Sequence, residues 1–176
     1  KIFLTLKFCV DINLAVILLI LLSPLFILVS IIIILDSGLP VIFFQKRVGL
    51  NGKLFTMYKF RTMKEVPNFK GQIYHCYEGD ERITFTGKYL RKYSLDELPQ
   101  LFNILKGEMS FVGPRPAIYD EFSYEHIDPE LFNVIRQRSN VRPGITGYAQ
   151  VRSRNDLDWN EKLRLDKYYL SLSPVF

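Results

Sequence analysis

The stretch from Ile12 to Leu35 contains no charged residue and is dominated by aliphatic side chains. A helix needs about 20 such residues to cross the hydrocarbon core of a bilayer. The run is longer than the apolar region of a secretory signal, about 7–15 residues, and no small-residue cleavage site follows it. A soluble core rarely uses a helix this apolar on all sides, so the segment is expected in a membrane. Lys1 and Lys7 precede it and Lys46 and Arg47 follow it, so both flanks are basic. Basic flanks favour the cytoplasmic side. Ser23-Pro24 sits at the middle of the run, where proline removes a backbone hydrogen bond and serine can satisfy a freed carbonyl. A re-entrant helix–break–helix that returns to the face it entered fits both features. A straight span with a tolerated proline is the alternative.

The rest of the chain reads as an ordinary polar, aromatic-rich domain. Its 176 residues are enough for one sizeable core. The expected fold is α+β and helix-rich: a membrane-embedded hairpin over 1–36, then a compact domain with a β-hairpin and several helices over 37–176. A formal charge of +5 suggests an anionic partner such as phosphate, a membrane surface or nucleic acid. Two cysteines, Cys9 and Cys76, give neither a disulfide framework nor metal-ligand spacing. No Walker A or GxGxxG sequence indicates a nucleotide loop. No base-stacking signature appears either, so nucleic acid is not expected as a partner.

After a turn cluster at Asp36–Pro40, "VIFFQKRVGLNGKLFTMYKFRTM" reads as a β-hairpin about Asn51-Gly52. Period two puts Lys59 and Arg61 on one face of its second strand, either as binding groups or as a solvated basic edge. Residues 64–82 read as a loop, in which His75-Cys76 has no ligand spacing. Helices are expected over 84–93, where Lys88, Arg91 and Lys92 cluster, and over about 98–106, started by Pro99. A third is expected from Asp128-Pro129. "VRPGITG" reads as a tight loop and "YAQVR" as a short strand. A fourth helix, capped by Asn155 or Asp156, would close the chain.

Asp96 and Glu97 stand at the N-terminal edge of the second of these helices, where dipole and free amides stabilise carboxylates. Basic residues surround the pair: Lys88, Arg91 and Lys92 upstream, Arg115 and Arg142 downstream. Arg115 lies between Pro114 and Pro116, and Arg142 precedes Pro143, so both sit on stiff backbone. The planar guanidinium fork suits phosphate oxygens, although internal pairing with carboxylates is the other use of such arginines. Rigid arginines with two carboxylates suggest a site for a metal and a phosphorylated substrate, or for an aspartate that attacks phosphorus.

Several long segments, in order, resemble the bacterial sugar transferases, the monotopic polyprenol-phosphate phosphoglycosyl transferases. They are the Pro24-centred hairpin, "RVGLNGKLFTMYKFRTM", "TGKYLRKYSLDELPQLFNILKGEMSFVGPRP", "VRPGITGYAQV" and "DKYY". The resemblance implies re-entry broken at Ser23-Pro24, a bacterial inner-membrane location and an active site on the cytoplasmic face. It implies transfer of a sugar-1-phosphate from a UDP-sugar to polyprenol phosphate, releasing UMP, through a covalent phosphosugar on Asp96. Glu97 would assist, and Mg²⁺ would sit at Asp96 and Glu97. Lys59, Arg61, Arg91, Arg115 and Arg142 would hold phosphates. The competing readings are direct displacement without a covalent aspartate, and a non-catalytic membrane-tethered domain that binds anionic lipid through Lys59, Arg61 and the 88–92 cluster. Where many relatives have an Asn-Gly-Arg-Asn-like stretch, this chain has Arg152-Ser153-Arg154-Asn155, which implies a differently shaped loop. The sugar and the oligomeric state, a homodimer included, are left open.

Overall fold

A computed structural model describes residues 2–64, 80–118, 128–152 and 158–172. The apolar segment forms two helices, α1 (Ile2–Leu21) and α2 (Ser23–Ser37), broken at Leu22 with Pro24 in the first turn of α2. Pro24 has no N–H to continue the ladder. Ser23 Oγ donates to Ile20 O (2.8 Å), answering one of the carbonyls left at the break. α1 is long and apolar enough to cross a bilayer, with a mean hydropathy of 2.2 over its best window, only 11% of which is buried within the protein.

Both helices are nevertheless tied to the polar part of the chain. Ala15 of α1 is buried among Phe55, Met57, Leu101, Ile104 and Met109, while Val29 and Ile33 of α2 pack with Phe60 and Leu90. Asp11, just before the uncharged run, is 6% exposed. It accepts from Lys7 Nζ (3.0 Å) and Ser110 Oγ (2.7 Å), which locks α1 to the strand that carries Ser110. At the other end Asp36 accepts from Thr86 N (2.9 Å).

The expected hairpin is present, with β1 (Ile42–Val48) antiparallel to β2 (Leu54–Phe60). Asn51 and Gly52 take the positive φ values the turn requires, 55° and 73°. α3 (Phe85–Lys92) is capped by Thr84, which accepts from Gly87 N. A 3₁₀ turn, Leu95–Glu97, precedes α4 (Gln100–Leu105), so the helix starts later than expected and the acidic pair lies in its own turn. Ser94 is left-handed (φ 56°) and makes no capping bond, so no capping box forms with Glu97. Another 3₁₀ turn, Pro129–Leu131, leads into α5 (Phe132–Arg138).

Two expectations change places. Part of the expected loop is a strand, β4 (Gly144–Thr146), parallel to β3 (Ser110–Val112), and the expected strand is a helix, α6 (Tyr148–Arg152). The glycines read as turn formers instead permit close backbone contact. A Cβ on Gly144 would come within 2.2 Å of Gly113 N, and one on Gly147 within 2.2 Å of Gly113 O. With β4 spent on that pairing, the next residues coil so that Ala149 is buried and the Tyr148 ring meets Tyr168 of α7 (Trp159–Leu172) at 5.1 Å. The proposed caps Asn155 and Asp156 lie outside the described residues, as do Ser153 and His75-Cys76. Instead Asp158 and Glu161 cap α7 reciprocally: Glu161 N donates to Asp158 Oδ1 (2.7 Å) and Asp158 N to Glu161 Oε2 (3.3 Å).

Candidate active site

Strand β2, the Leu95–Glu97 turn and the segment after β3 converge on one charged hollow. Asn103 holds the first two together. Fully buried in α4, it accepts from Tyr58 N (3.1 Å) and donates to Thr56 O (2.7 Å), completing the free edge of β2 as another strand would. Lys59, next along β2, then meets Glu97 at 2.7 Å. Arg115 stands 3.6 Å from the same Glu97 oxygen, with its side chain half exposed. Lys59, Glu97, Gln100, Arg115 and Arg47 line a small hollow of about 10 Å³. Beyond Arg115 and Pro116 a wider cleft of about 260 Å³ opens, with a mostly apolar lining that includes Val48, Ile135 and Pro143.

Asp96 is 8% exposed. Burial, reinforced by the charge on Glu97, pushes its carboxyl above the usual aspartate value, against the pull of Lys59 and Arg91. Burial likewise draws Lys59 below the usual lysine value, although Glu97 and Asp96 oppose this. The arrangement is two adjacent carboxylates, one nearly desolvated, edged by a lysine and arginines. It can bind an anion and present a carboxylate to it.

The remaining site expectations divide. Arg91 Nε donates to Thr62 Oγ1 (2.8 Å) and contributes to the field at Asp96. Arg61 does not share Lys59's partner: its Nη2 donates to Ser37 O (2.7 Å) and to Gly38 O, closing the C-terminal end of α2. Arg142 Nε donates to Gly107 O (2.9 Å) while its guanidinium covers the Phe8 ring of α1 at 4.4 Å. Arg47 was read only as a basic flank, yet it is 7% exposed at the hollow and donates to Pro116 O (2.8 Å). Only the tertiary approach of Pro116 to β1 gives it that role. Among the described residues no three His, Cys, Asp or Glu side chains gather to hold a metal. The hard oxygens of Asp96 and Glu97 still suit Mg²⁺, which is commonly held by one or two carboxylates with substrate phosphates completing its shell.

The family model "Bacterial sugar transferase" matches residues 2–175. The chain belongs to the bacterial sugar transferases. It is 42% identical over 165 residues to the uncharacterized sugar transferase EpsL of Bacillus subtilis, covering 94% of this chain and 77% of that one. It is 38% identical to the exopolysaccharide production protein ExoY of Sinorhizobium fredii, over 91% of this chain and 74% of ExoY. Against the UDP-glucose:undecaprenyl-phosphate glucose-1-phosphate transferase of Escherichia coli the identity is 42%, over 90% of this chain but only 33% of that longer protein. A bacterial sugar transferase with a buried aspartate beside paired cations is a specific chemical object.

Proposed function

We propose that this sugar transferase moves a sugar-1-phosphate from a UDP-sugar to undecaprenyl phosphate in two displacements. The observation that carries this reading is Asp96, nearly desolvated and flanked by Glu97, Lys59 and Arg91, in a family whose named relatives include UDP-glucose:undecaprenyl-phosphate transferases. In the first step an Asp96 carboxylate oxygen bonds to the β-phosphorus, the bond from that phosphorus to the bridging oxygen breaks, and UMP leaves. In the second, a phosphate oxygen of the polyprenol attacks the same phosphorus and the Asp96 carboxylate departs, giving polyprenol-diphosphate-sugar.

Lys59 and Arg115 face the phosphoryl oxygens, where fixed cations offset developing charge. The 260 Å³ cleft beyond Arg115 offers space for a ring of the donor. Asp96 and Glu97 would hold Mg²⁺, which when bound neutralises phosphate charge and favours the ionised carboxylates. Re-entry from the cytoplasmic face of the bacterial inner membrane is supported by the attachment of both residues that bound the uncharged run to the same domain, Asp11 at Ser110 and Asp36 at Thr86. A lipid-binding module built on Lys59, Arg61 and the 88–92 cluster has less behind it: Lys59 and Arg61 turn inward to protein partners, and only Lys88 and Lys92 of the cluster stand exposed.

The test is intact-protein mass spectrometry of detergent-solubilised enzyme mixed with Mg²⁺ and a panel of UDP-sugars, without the lipid. A phosphosugar adduct is expected, absent in Asp96→Asn. Turnover with lipid but no adduct in its absence would replace the covalent route with direct displacement.

A further inference from the structure

The carbonyls of four successive residues, Pro114 to Ala117, are each held from outside the segment. Gly144 N donates to Pro114 O and Val48 N to Ala117 O, both at 2.9 Å. Arg47 donates to Pro116 O and Arg138 Nη2 to Arg115 O, both at 2.8 Å. The first two are main-chain bonds; the other two use buried guanidinium groups. Arg138, at the end of α5, is 8% exposed and its Nε lies 2.8 Å from Asp166 Oδ2 of α7. The Trp159 ring lies 5.9 Å from its guanidinium carbon. Asp166 is 2% exposed. The guanidinium therefore sits between a buried carboxylate, an aromatic ring and the backbone beneath Arg115.

Stability alone is a poor reason for this pair. The contact of α5 and its leading turn with α7 is built around an apolar cluster of Leu131, Val134, Leu163 and Leu170. Removing two charges from water costs about several kcal/mol per ion, and well-packed apolar replacements are often neutral or stabilising. Carbon could hold the two helices together, but it could not donate to the Arg115 carbonyl. An arginine presented from a fixed backbone loses less freedom when it binds, which is the benefit of preorganisation.

We propose that Arg138 and Asp166 are positioning residues: their ion pair, bridging α5 and α7, sets the base from which Arg115 presents its guanidinium to the phosphate oxygens of a ligand. The proposal rests on the phosphate-site reading of the hollow. Its test is a double-mutant cycle on the full chain in detergent, using Arg115→Ala, Asp166→Asn and the pair, read by calorimetric affinity for inorganic pyrophosphate. Each single change should weaken pyrophosphate by about tenfold, equivalent to about 1.4 kcal/mol. The double variant should be no weaker than Arg115→Ala alone, because Asp166 acts through Arg115. In turnover, Asp166→Asn should lower kcat/KM for the UDP-sugar by a similar factor, and lower it no further in the Arg115→Ala background.

If Asp166→Asn costs the same factor with and without Arg115, the pair is only packing and the proposal fails. Should Asp166→Asn unfold, Arg138→Lys takes its place in the same cycle, since it keeps the charge and loses the fork. A wild-type chain that binds pyrophosphate but transfers no sugar phosphate would sink the proposed reaction and leave the cycle readable. One that binds no pyrophosphate would overturn the positioning role itself.

Discussion

Asp96 concentrates the conflict between stability and chemistry in one side chain. Its carboxyl is raised above the ordinary 3.8, mainly by burial, and Lys59 is lowered from 10.5, again mainly by burial. A nucleophilic carboxylate must be ionised and the lysine beside it must be charged. The alkaline limb of kcat/KM should therefore lie below 10.5, measured as a pH–rate profile. The sign for folding is the reverse of the usual aspartate case. A raised folded pKa costs stability wherever the group is ionised, and that cost fades as pH falls through the folded pKa towards 3.8. Asp96→Asn should thus raise Tm at pH 7 while lowering kcat by at least about 10³-fold. A lower Tm in calorimetry would mean that the attraction of Lys59 and Arg91 outweighs desolvation.

At the level of the elements, the site depends on a side chain that imitates a strand. Asn103→Ala would leave the Tyr58 N–H and Thr56 C=O without their partner, at a cost of about 2–4 kcal/mol. Urea titration in detergent should show a lower midpoint with an unchanged slope, and activity should fall with it as Lys59 loses its register with Glu97. Arg61 serves α2 in a similar way. Removing its bonds to the Ser37 and Gly38 carbonyls in Arg61→Ala should cost about 1.5–3 kcal/mol, the range for bonds from a charged donor, in the same titration. The hairpin, α3 and the break at Pro24 were legible in sequence because each has a local cause: Asn51-Gly52, basic residues at helical spacing, a missing N–H. β4 and α6 were not, because the Gly113–Gly144–Gly147 contact that decides them joins residues far apart in the chain.

For the whole molecule the question is which way α1 and α2 leave the membrane. Asp11 and Asp36, on either side of the uncharged run, are bonded to the same polar domain, so cysteines introduced at Ile2 and Lys53, with Cys9 and Cys76 replaced by serine, should react with an impermeant thiol reagent from one side only. Labelling of the two positions from opposite sides would make α1 a full span. Sequence alone determined the apolar segment, its break, the hairpin, the acidic pair and the family, because each is written in contiguous residues or in ordered motifs. Tertiary structure alone decided which cations serve that pair. Lys59 and Arg115 meet Glu97, whereas Arg61 caps α2, Arg142 covers Phe8, and Arg47 and Arg138 hold the backbone around Arg115. A guanidinium's task depends on which carbonyl, ring or carboxylate folding brings within about 3–4 Å, and spacing along a chain does not carry that information.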